Sequence, residues 1–583
     1  MATHTTAALP KHLHAIVDMG SNGIRFSIST LQPPTARIVP TLYQSRAAIS
    51  LYDAQYSASG ERQPMDDATI SAVCSAFKSF KRTCTDYAVP DANVTVLATE
   101  ATRTASNSQD FRDAIKRAVG WDVEMLAKQD EGKIGAMGIA SSLPDISGLV
   151  MDLGGGSTQL SWLIKEAPDP TVHMPVQGAV SMPYGAAAMI RRLAQAEREG
   201  ETKALKHELQ DAVKGAYASL GVPAELRKAA KRTGGFTLYL SGGGFRGWGY
   251  MLMSQHAIQP YPIPAINGFR ASRRQFLSTQ PIKEAAVNAL EDEDEQIFRV
   301  SDRRAGQVPA VAFLVNALAE ALPEINEVRF CQGGVREGYL FTKLSPEVRG
   351  EHPLVVATEP FDTSNTSGAI TKLLLSALPP SNGPAAASDT YRQVFTKDLL
   401  DAFANMIYYH SSHSKDLQSS AALRSTTSGI LAGVHGVLHE NRAMLALLLC
   451  QQWGGDVPPT DHEFKHALQA LIESKWTLWW IKYLGAVASL IASVFPAGPT
   501  SANAGRVTLE ALWNHSGSGA PQVDLRFVFA DASDARDFGD QLHKIEKVGK
   551  KKKWIGGRDG AGYKVAVEVN GGHSDSANGV GST

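Results

Sequence analysis

Two segments of this 583-residue chain share one pattern: an apolar strand ending in an acid, a turn bearing glycine and hydroxyls, then a second apolar strand. The first is Val17-Asp18-Met19-Gly20-Ser21-Asn22-Gly23, continuing through residues 24–29 with Arg25 among them. The second is Val150-Met151-Asp152-Leu153-Gly154-Gly155-Gly156-Ser157-Thr158-Gln159, continuing through residues 160–163. Turn amides and hydroxyls of this kind cradle oxyanions, and an acid at the strand end holds a hydrated metal. A single copy is an ordinary hairpin. Two copies roughly 130 residues apart predict two facing lobes with phosphate between them. A Walker loop is excluded, because no Gly-Lys-Ser/Thr opens a helix. A third cluster, Leu240-Ser241-Gly242-Gly243-Gly244, closes another apolar run. It reads either as the place for a nucleoside or further phosphates, or as a tight turn that only makes room for packing.

The rest of the chain falls into regions around these motifs. Residues 14–345 alternate short apolar runs with helical stretches, as in an α/β domain, with strands expected at 14–18, 24–29, 93–99, 149–153, 237–241 and 327–331. Four domains are expected: one lobe over 11–130, a second over 131–345, a helical domain over 390–497 and a small α+β module over 505–570. Within the helical domain, helices are expected at 423–439, 442–452 and 464–472. The composition, 43% hydrophobic and 20% charged, is that of a globular chain. A net charge of −1 gives no overall field for nucleic acid or anionic lipid, so an anionic ligand needs a local site. Four scattered cysteines fit a reducing, cytoplasmic setting. Residues 476–495 are nearly long and apolar enough to span a bilayer, but Lys482 interrupts them. Leu484, Val487, Ala488, Ile491 and Phe495 recur at helical spacing, which favours a buried helix over a membrane span. The basic run Lys550–Lys553 has a single aromatic neighbour, Trp554, and reads as a solvated turn rather than a nucleic-acid contact.

Asp18 to Asn22, then Ala98-Thr99-Glu100-Ala101-Thr102-Arg103-Thr104-Ala105-Ser106-Asn107, then Asp152 to Thr158, and finally Val335-Arg336-Glu337-Gly338, resemble in order the motifs of the exopolyphosphatase / guanosine pentaphosphate phosphohydrolase (Ppx/GppA) family. The resemblance implies an α/β fold: two ribonuclease-H-like lobes of the actin-like ATPase superfamily, followed by the helical domain and the α+β module. It further implies that Asp18 and Asp152 hold Mg2+. Ser21, Asn22, Arg25, Gly154, Gly155, Gly156, Ser157, Thr158 and Gln159 would bind phosphate or nucleotide, and Ser241, Gly242 and Gly243 would extend that site. Arg103 would neutralise the transferred group, and Glu131 would activate water as general base, with Asp152 beside it in the catalytic set. The implied ligand is polyphosphate or a nucleotide such as ATP or guanosine pentaphosphate. Residues 426–456 resemble the fungal members of the family, a branch concerned with retrograde regulation. That makes a phosphate-sensing regulator with a signalling partner the alternative to an enzyme, and a homodimer is compatible with either. Gln159 departs from the family's usual glutamate, and this bears directly on the choice.

Overall fold

The computed structural model describes residues 9–573 apart from 22, 58–60, 167–168, 363, 382–389, 517–520, 532–533 and 570–571. The predicted Asn22 contact therefore lies outside the described residues. The first hairpin is β1 (Leu13–Gly20) and β2 (Gly23–Thr30), antiparallel, with Asp18 opposite Arg25 and Gly20 opposite Gly23. With β3 (Thr41–Ala47), β4 (Val94–Ala98) and β5 (Val123–Met125) it forms a sheet of order β3-β2-β1-β4-β5, in which β4 runs parallel to β1 and β5 parallel to β4.

The second hairpin is β6 (Ile146–Leu153) and β7 (Thr158–Lys165), with Asp152 opposite Gln159. Adding β8 (Val180–Met182), β9 (Phe236–Ser241), β10 (Arg270–Ser272) and β11 (Ile325–Phe330) gives the order β10-β11-β9-β6-β7-β8. Without the edge strand β10, this is the first sheet's arrangement strand for strand, with the same antiparallel hairpin followed by parallel neighbours. Each lobe thus has the ribonuclease-H-like topology, and the chain carries it twice. The two hairpin-leading strands are covered on both faces, so Ala15, Ile16 and Val17, like Leu149 and Met151, are fully buried. That is why both read as unbroken apolar runs rather than alternating ones.

In the second lobe the helix Lys128–Ser141 lies against the helix Val335–Lys343. A Cβ added at Gly138 would stand 2.3 Å from the Gly334 carbonyl oxygen, and one at Gly338 would stand 1.9 Å from that of Ile134. The two helices meet backbone to backbone, a distance only glycine permits. This contact fixes the helix whose first turn carries Glu131.

The chain divides into two compact units: 1–257 with 265–353 and 434–438, which contains both lobes, and 258–264 with 354–433 and 439–583. In the second unit the helix Lys475–Val494 is long and apolar enough to cross a membrane by length and composition, and 67% of its most apolar window is buried within the protein. Trp479, Trp480 and Tyr483 on its buried face pack around Tyr563 or one another. The four strands β12 (Val507–His515), β13 (Pro521–Phe529), β14 (Lys564–Val569) and β15 (Gly572–His573) form a separate sheet. The helix expected over 423–439 is not formed. The chain leaves the helix Lys415–Arg424, runs through turns, and re-enters helix at His439–Gln452. Thr426 donates its hydroxyl to the Arg442 carbonyl (2.9 Å), and the Arg442 guanidinium donates to the Leu431 carbonyl (2.9 Å). Side chain to backbone bonds thus replace helical ones, and Gly436 adopts φ 92°.

Candidate functional site

The two hairpin acids arrive at the ends of equivalent strands in facing lobes. Asp18 is 6% exposed. Burial pushes its carboxyl above the usual range, while Arg25, Arg336 and Glu337 act on it electrostatically, the two arginines downward and the glutamate upward. Arg25 Nη1 lies 3.6 Å from Asp18 Oδ2. Asp152 is likewise raised by burial, against which a hydrogen bond from Ser241 and the charge of Arg25 work, and the charge of Asp18 raises it further. The two carboxylates therefore feel each other across the lobes, and both feel Arg25.

Glu131, in the first turn of Lys128–Ser141, is held from two sides. Arg103, on the short helix Glu100–Thr104 of the first lobe, places Nη2 3.2 Å from Glu131 Oε2. Gln159, on β7, donates from Nε2 to Glu131 Oε1 at 3.4 Å. A second Arg103 nitrogen, Nη1, donates to the Leu126 carbonyl. Burial dominates the titration of Glu131 and pushes it up to about 7; Arg103 opposes this, and the carboxylates Glu100 and Asp152 reinforce it. A carboxylate raised toward neutrality by desolvation, in reach of an arginine, can take up a proton near neutral pH.

The glycine turn of the second hairpin closes with a Gly154 N–H to Ser157 carbonyl bond of 3.0 Å. Gly156 meets the first lobe: a Cβ there would stand 3.2 Å from Glu100 Oε2 and 3.6 Å from the Tyr52 ring. Ser21 lies in the first turn, where its carbonyl accepts from the Tyr52 N–H (2.9 Å). Two expected phosphate ligands are turned elsewhere. Thr158 is 1% exposed, and its hydroxyl donates inward to the Tyr184 carbonyl at 2.7 Å. The Ser241 hydroxyl is buried 2.9 Å from the Gly333 carbonyl and beside Asp152. Both stabilise the protein rather than present a hydroxyl to ligand. The third glycine cluster is not a turn either. Gly242, at φ 90°, opens the helix Gly242–Ser254, so Gly242 and Gly243 lie at a helix N-terminus next to Asp152.

One feature is absent from the linear pattern. Arg25 and Arg46 sit opposite each other on β2 and β3, while Arg246 comes from the helix Gly242–Ser254 and Arg304 from the short helix Asp302–Ala305. Burial lowers the affinity of Arg46, Arg246 and Arg304 for their protons, Arg246 to about 10, and the charge of Arg25 lowers all three further. Four guanidinium groups from both lobes thus act on one another, with Arg25 also acting on Asp18 and Asp152 and Arg246 on Asp152. Their positions in sequence, scattered across 280 residues, give no spacing signal; only the duplicated fold assembles them.

The topology and these side chains define a two-lobed protein of the actin-like ATPase type, with acids and arginines of both lobes converging where the lobes face each other. Residues 33–347 match the Ppx/GppA phosphatase family, beginning just past the first hairpin, and residues 352–572 match the RTG2 C-terminal domain. The chain is 38% identical to retrograde regulation protein 2 of Saccharomyces cerevisiae over 85% of its own length and 82% of that protein's. It is 25% identical to exopolyphosphatase 1 of Mycobacterium leprae over 44% of its length and 70% of that protein's. A crystal structure of the Aquifex aeolicus Ppx/GppA family member covers 57% of the chain and 97% of its own, at 21% identity and a TM-score of 0.42. The chain belongs to the Ppx/GppA phosphatase family.

Proposed function

We propose that the protein releases the terminal phosphate of polyphosphate or of a nucleotide polyphosphate at the junction of its two lobes, using magnesium. The observation that carries this is Glu131: a half-buried carboxylate titrating near 7, with an arginine on one oxygen and an amide on the other. Its free lone pairs accept the proton of a water molecule as the water oxygen attacks the terminal phosphorus and the bond to the bridging oxygen breaks. Arg103 stabilises the charge on the transferred group. Arg25, Arg46, Arg246 and Arg304 answer the charge of the remaining phosphates, a role that also relieves their mutual repulsion. The residues present fit magnesium. Asp18 is buried and Asp152 partly so, each raised by desolvation, and the two supply hard oxygen ligands. Among the described residues no group of three or more His, Cys, Asp or Glu is placed to hold a metal, so an ion held by Asp18 and Asp152 would take most of its ligands from water and phosphate oxygens. When bound, magnesium would supply charge neutralisation at the phosphate oxygens.

The test is phosphate release from polyphosphate, guanosine pentaphosphate and ATP, with Glu131→Gln as control. Release that disappears in the variant supports the reading; no release from any of the three, or release that survives Glu131→Gln, sinks it.

A second reading is favoured by the match of residues 352–572 and by the long match to a retrograde regulation protein. On this reading the same lobes sense a nucleotide or phosphate ligand in the cytoplasm, and the C-terminal half engages a signalling partner. Ligand binding then survives Glu131→Gln but is lost in Asp152→Ala. Calorimetry with ATP and guanosine pentaphosphate separates the two readings, because a sensor binds without turning over.

A further inference from the structure

We propose that a groove in the second compact unit docks an extended segment of a partner protein through a lysine or arginine side chain. The groove shares no residue with the phosphate site, and the inference holds whether that site turns over or only senses. The volume of the groove is about 390 Å³, within the range of roughly 300–1,000 Å³ usual for ligand pockets. One wall is the stretch 260–264, where Pro260, Pro262 and Pro264 alternate with Tyr261 and Ile263. The other wall comes from the end of the helix Lys415–Arg424, the turn after it, and the helix Pro459–Ala470. Both walls belong to the second unit. Tyr261 is fixed by a 2.8 Å hydrogen bond between its hydroxyl and His439 Nδ1, and the two rings are in contact.

The chemistry of the lining selects a cation. Prolines carry no N–H, so the proline wall offers carbonyl oxygens with few amide donors. The one cation lining the groove, Arg424, is already engaged. Its Nε lies 3.1 Å from Asp461 Oδ1, Nη2 reaches the same oxygen, and the guanidinium stands 4.5 Å from the centre of the Phe464 ring. Ser420 donates to the other oxygen of Asp461, which is 5% exposed. Glu463, by contrast, is exposed, and among the described residues no cation or side-chain donor is paired with it. An ammonium brings three donors and a guanidinium five, and neither brings an acceptor. The aliphatic stem of either side chain suits the prolines, and its charge suits the Tyr261 ring. The space exceeds one such side chain, and Ser428 and Thr460 are exposed at its rim. Their hydroxyls can meet the peptide groups on either side of an inserted residue, which a free amine lacks.

The proline wall also continues directly into the lobe unit, three residues before Asn267. Asn267 is 3% exposed; it donates to the Ser142 carbonyl (2.8 Å), just past the helix that carries Glu131, and accepts from the Gln332 N–H (3.0 Å). A segment that immobilises 260–264 therefore restrains the chain entering this junction.

The experiment presents the immobilised full chain with three pools of capped octapeptides, degenerate except for a central arginine, leucine or glutamate, and reads retention by mass spectrometry. The arginine pool should be retained about tenfold better than the other two, as expected for one charge-assisted contact. That preference should fall in Glu463→Gln and vanish in Glu463→Lys, and it should persist in Glu225→Gln, which removes an exposed acid of the lobe unit. Equal retention of the three pools, or a preference unchanged in Glu463→Lys, overturns the proposal. Capped arginine amide binding as tightly as the retained octapeptides overturns it in favour of a small amine. Hydrogen exchange with the best-retained octapeptide bound should slow at residues 265–268; slowing confined to the groove residues overturns the restraint on the lobe junction.

Discussion

Replacing Glu131 by glutamine removes a titration that works against folding, and the size of the effect follows from the site. The carboxyl titrates at about 7 in the folded protein against an ordinary value of 4.5. A folded-state value raised in this direction leaves the stability contribution intact below the unfolded value and removes it as pH rises through the folded one. Each unit corresponds to about 1.4 kcal/mol, so the full loss is on the order of 3 kcal/mol, with about 2 kcal/mol of it falling between roughly pH 5.5 and 8. Glu131→Gln keeps the shape and an acceptor for Arg103 but cannot ionise. Its stability relative to wild type should therefore improve by about 2 kcal/mol from pH 5.5 to pH 8. Any fixed cost of the weakened Arg103 contact is present at both pH values and cancels in the difference, because arginine stays charged throughout. Denaturant unfolding followed at Trp121, the tryptophan buried in the first lobe, measures the offset at both pH values. An offset equal at the two would refute the assignment of a raised titration to Glu131.

Arg103→Ala leaves Glu131 among Glu100 and Asp152 without its cation, so the acid limb of any turnover profile, or the Glu131 titration read by NMR, should move to higher pH; an unchanged or lower titration would show that Arg103 does not stabilise the Glu131 anion. Arg246→Met and Arg304→Met should each weaken binding of a triphosphate by about tenfold, as expected for one lost charge-assisted contact, while leaving orthophosphate binding nearly unchanged; calorimetry reads the difference, and equal losses for both anions would contradict an extended site. Gly338→Ala forces a methyl against the Ile134 carbonyl and should destabilise the lobe unit by about 2 kcal/mol, measured by denaturant unfolding; an unchanged midpoint would show that the two helices part without cost.

The parts of this molecule that were legible in the sequence are those whose chemistry is local. Each hairpin announces itself because an acid, a glycine turn and a second strand follow one another within about a dozen residues. Thr158 could have been assigned inward from the same stretch, since Ser157, Thr158, Gln159 and Leu160 alternate in burial as a strand requires. The three glycines after Ser241 suggested a turn by composition, yet Phe245, Trp248, Met251 and Leu252 continue at helical spacing and are buried. Their pull toward the core outweighs the poor helix propensity of glycine in the first turn. The break in the expected helix over 423–439 had a signal too, in Gly429, Gly433 and Gly436, which apolar periodicity alone ignores. What no pattern shows is the meeting of Arg25, marked by its place in the first hairpin, with Arg46, Arg246 and Arg304, which are scattered basic residues until the two lobes bring them together.

The ion pair between Arg103 and Glu131 links the two functional readings. Arg103 places Nη2 on the Glu131 carboxylate and donates from Nη1 to the Leu126 carbonyl. A terminal phosphate that recruits this guanidinium must draw it from Glu131, and the carboxylate left behind is less stabilised as an anion, hence a stronger proton acceptor. Binding alone would therefore ready the base, with Gln159 still holding its other oxygen. A hydrolase needs the water that follows; a sensor needs only the shift of Arg103 between two partners in different lobes, since that shift makes ligand affinity depend on how the lobes are set. On either reading the same exchange would operate, and the two would differ in whether a water molecule attends Glu131 when it occurs.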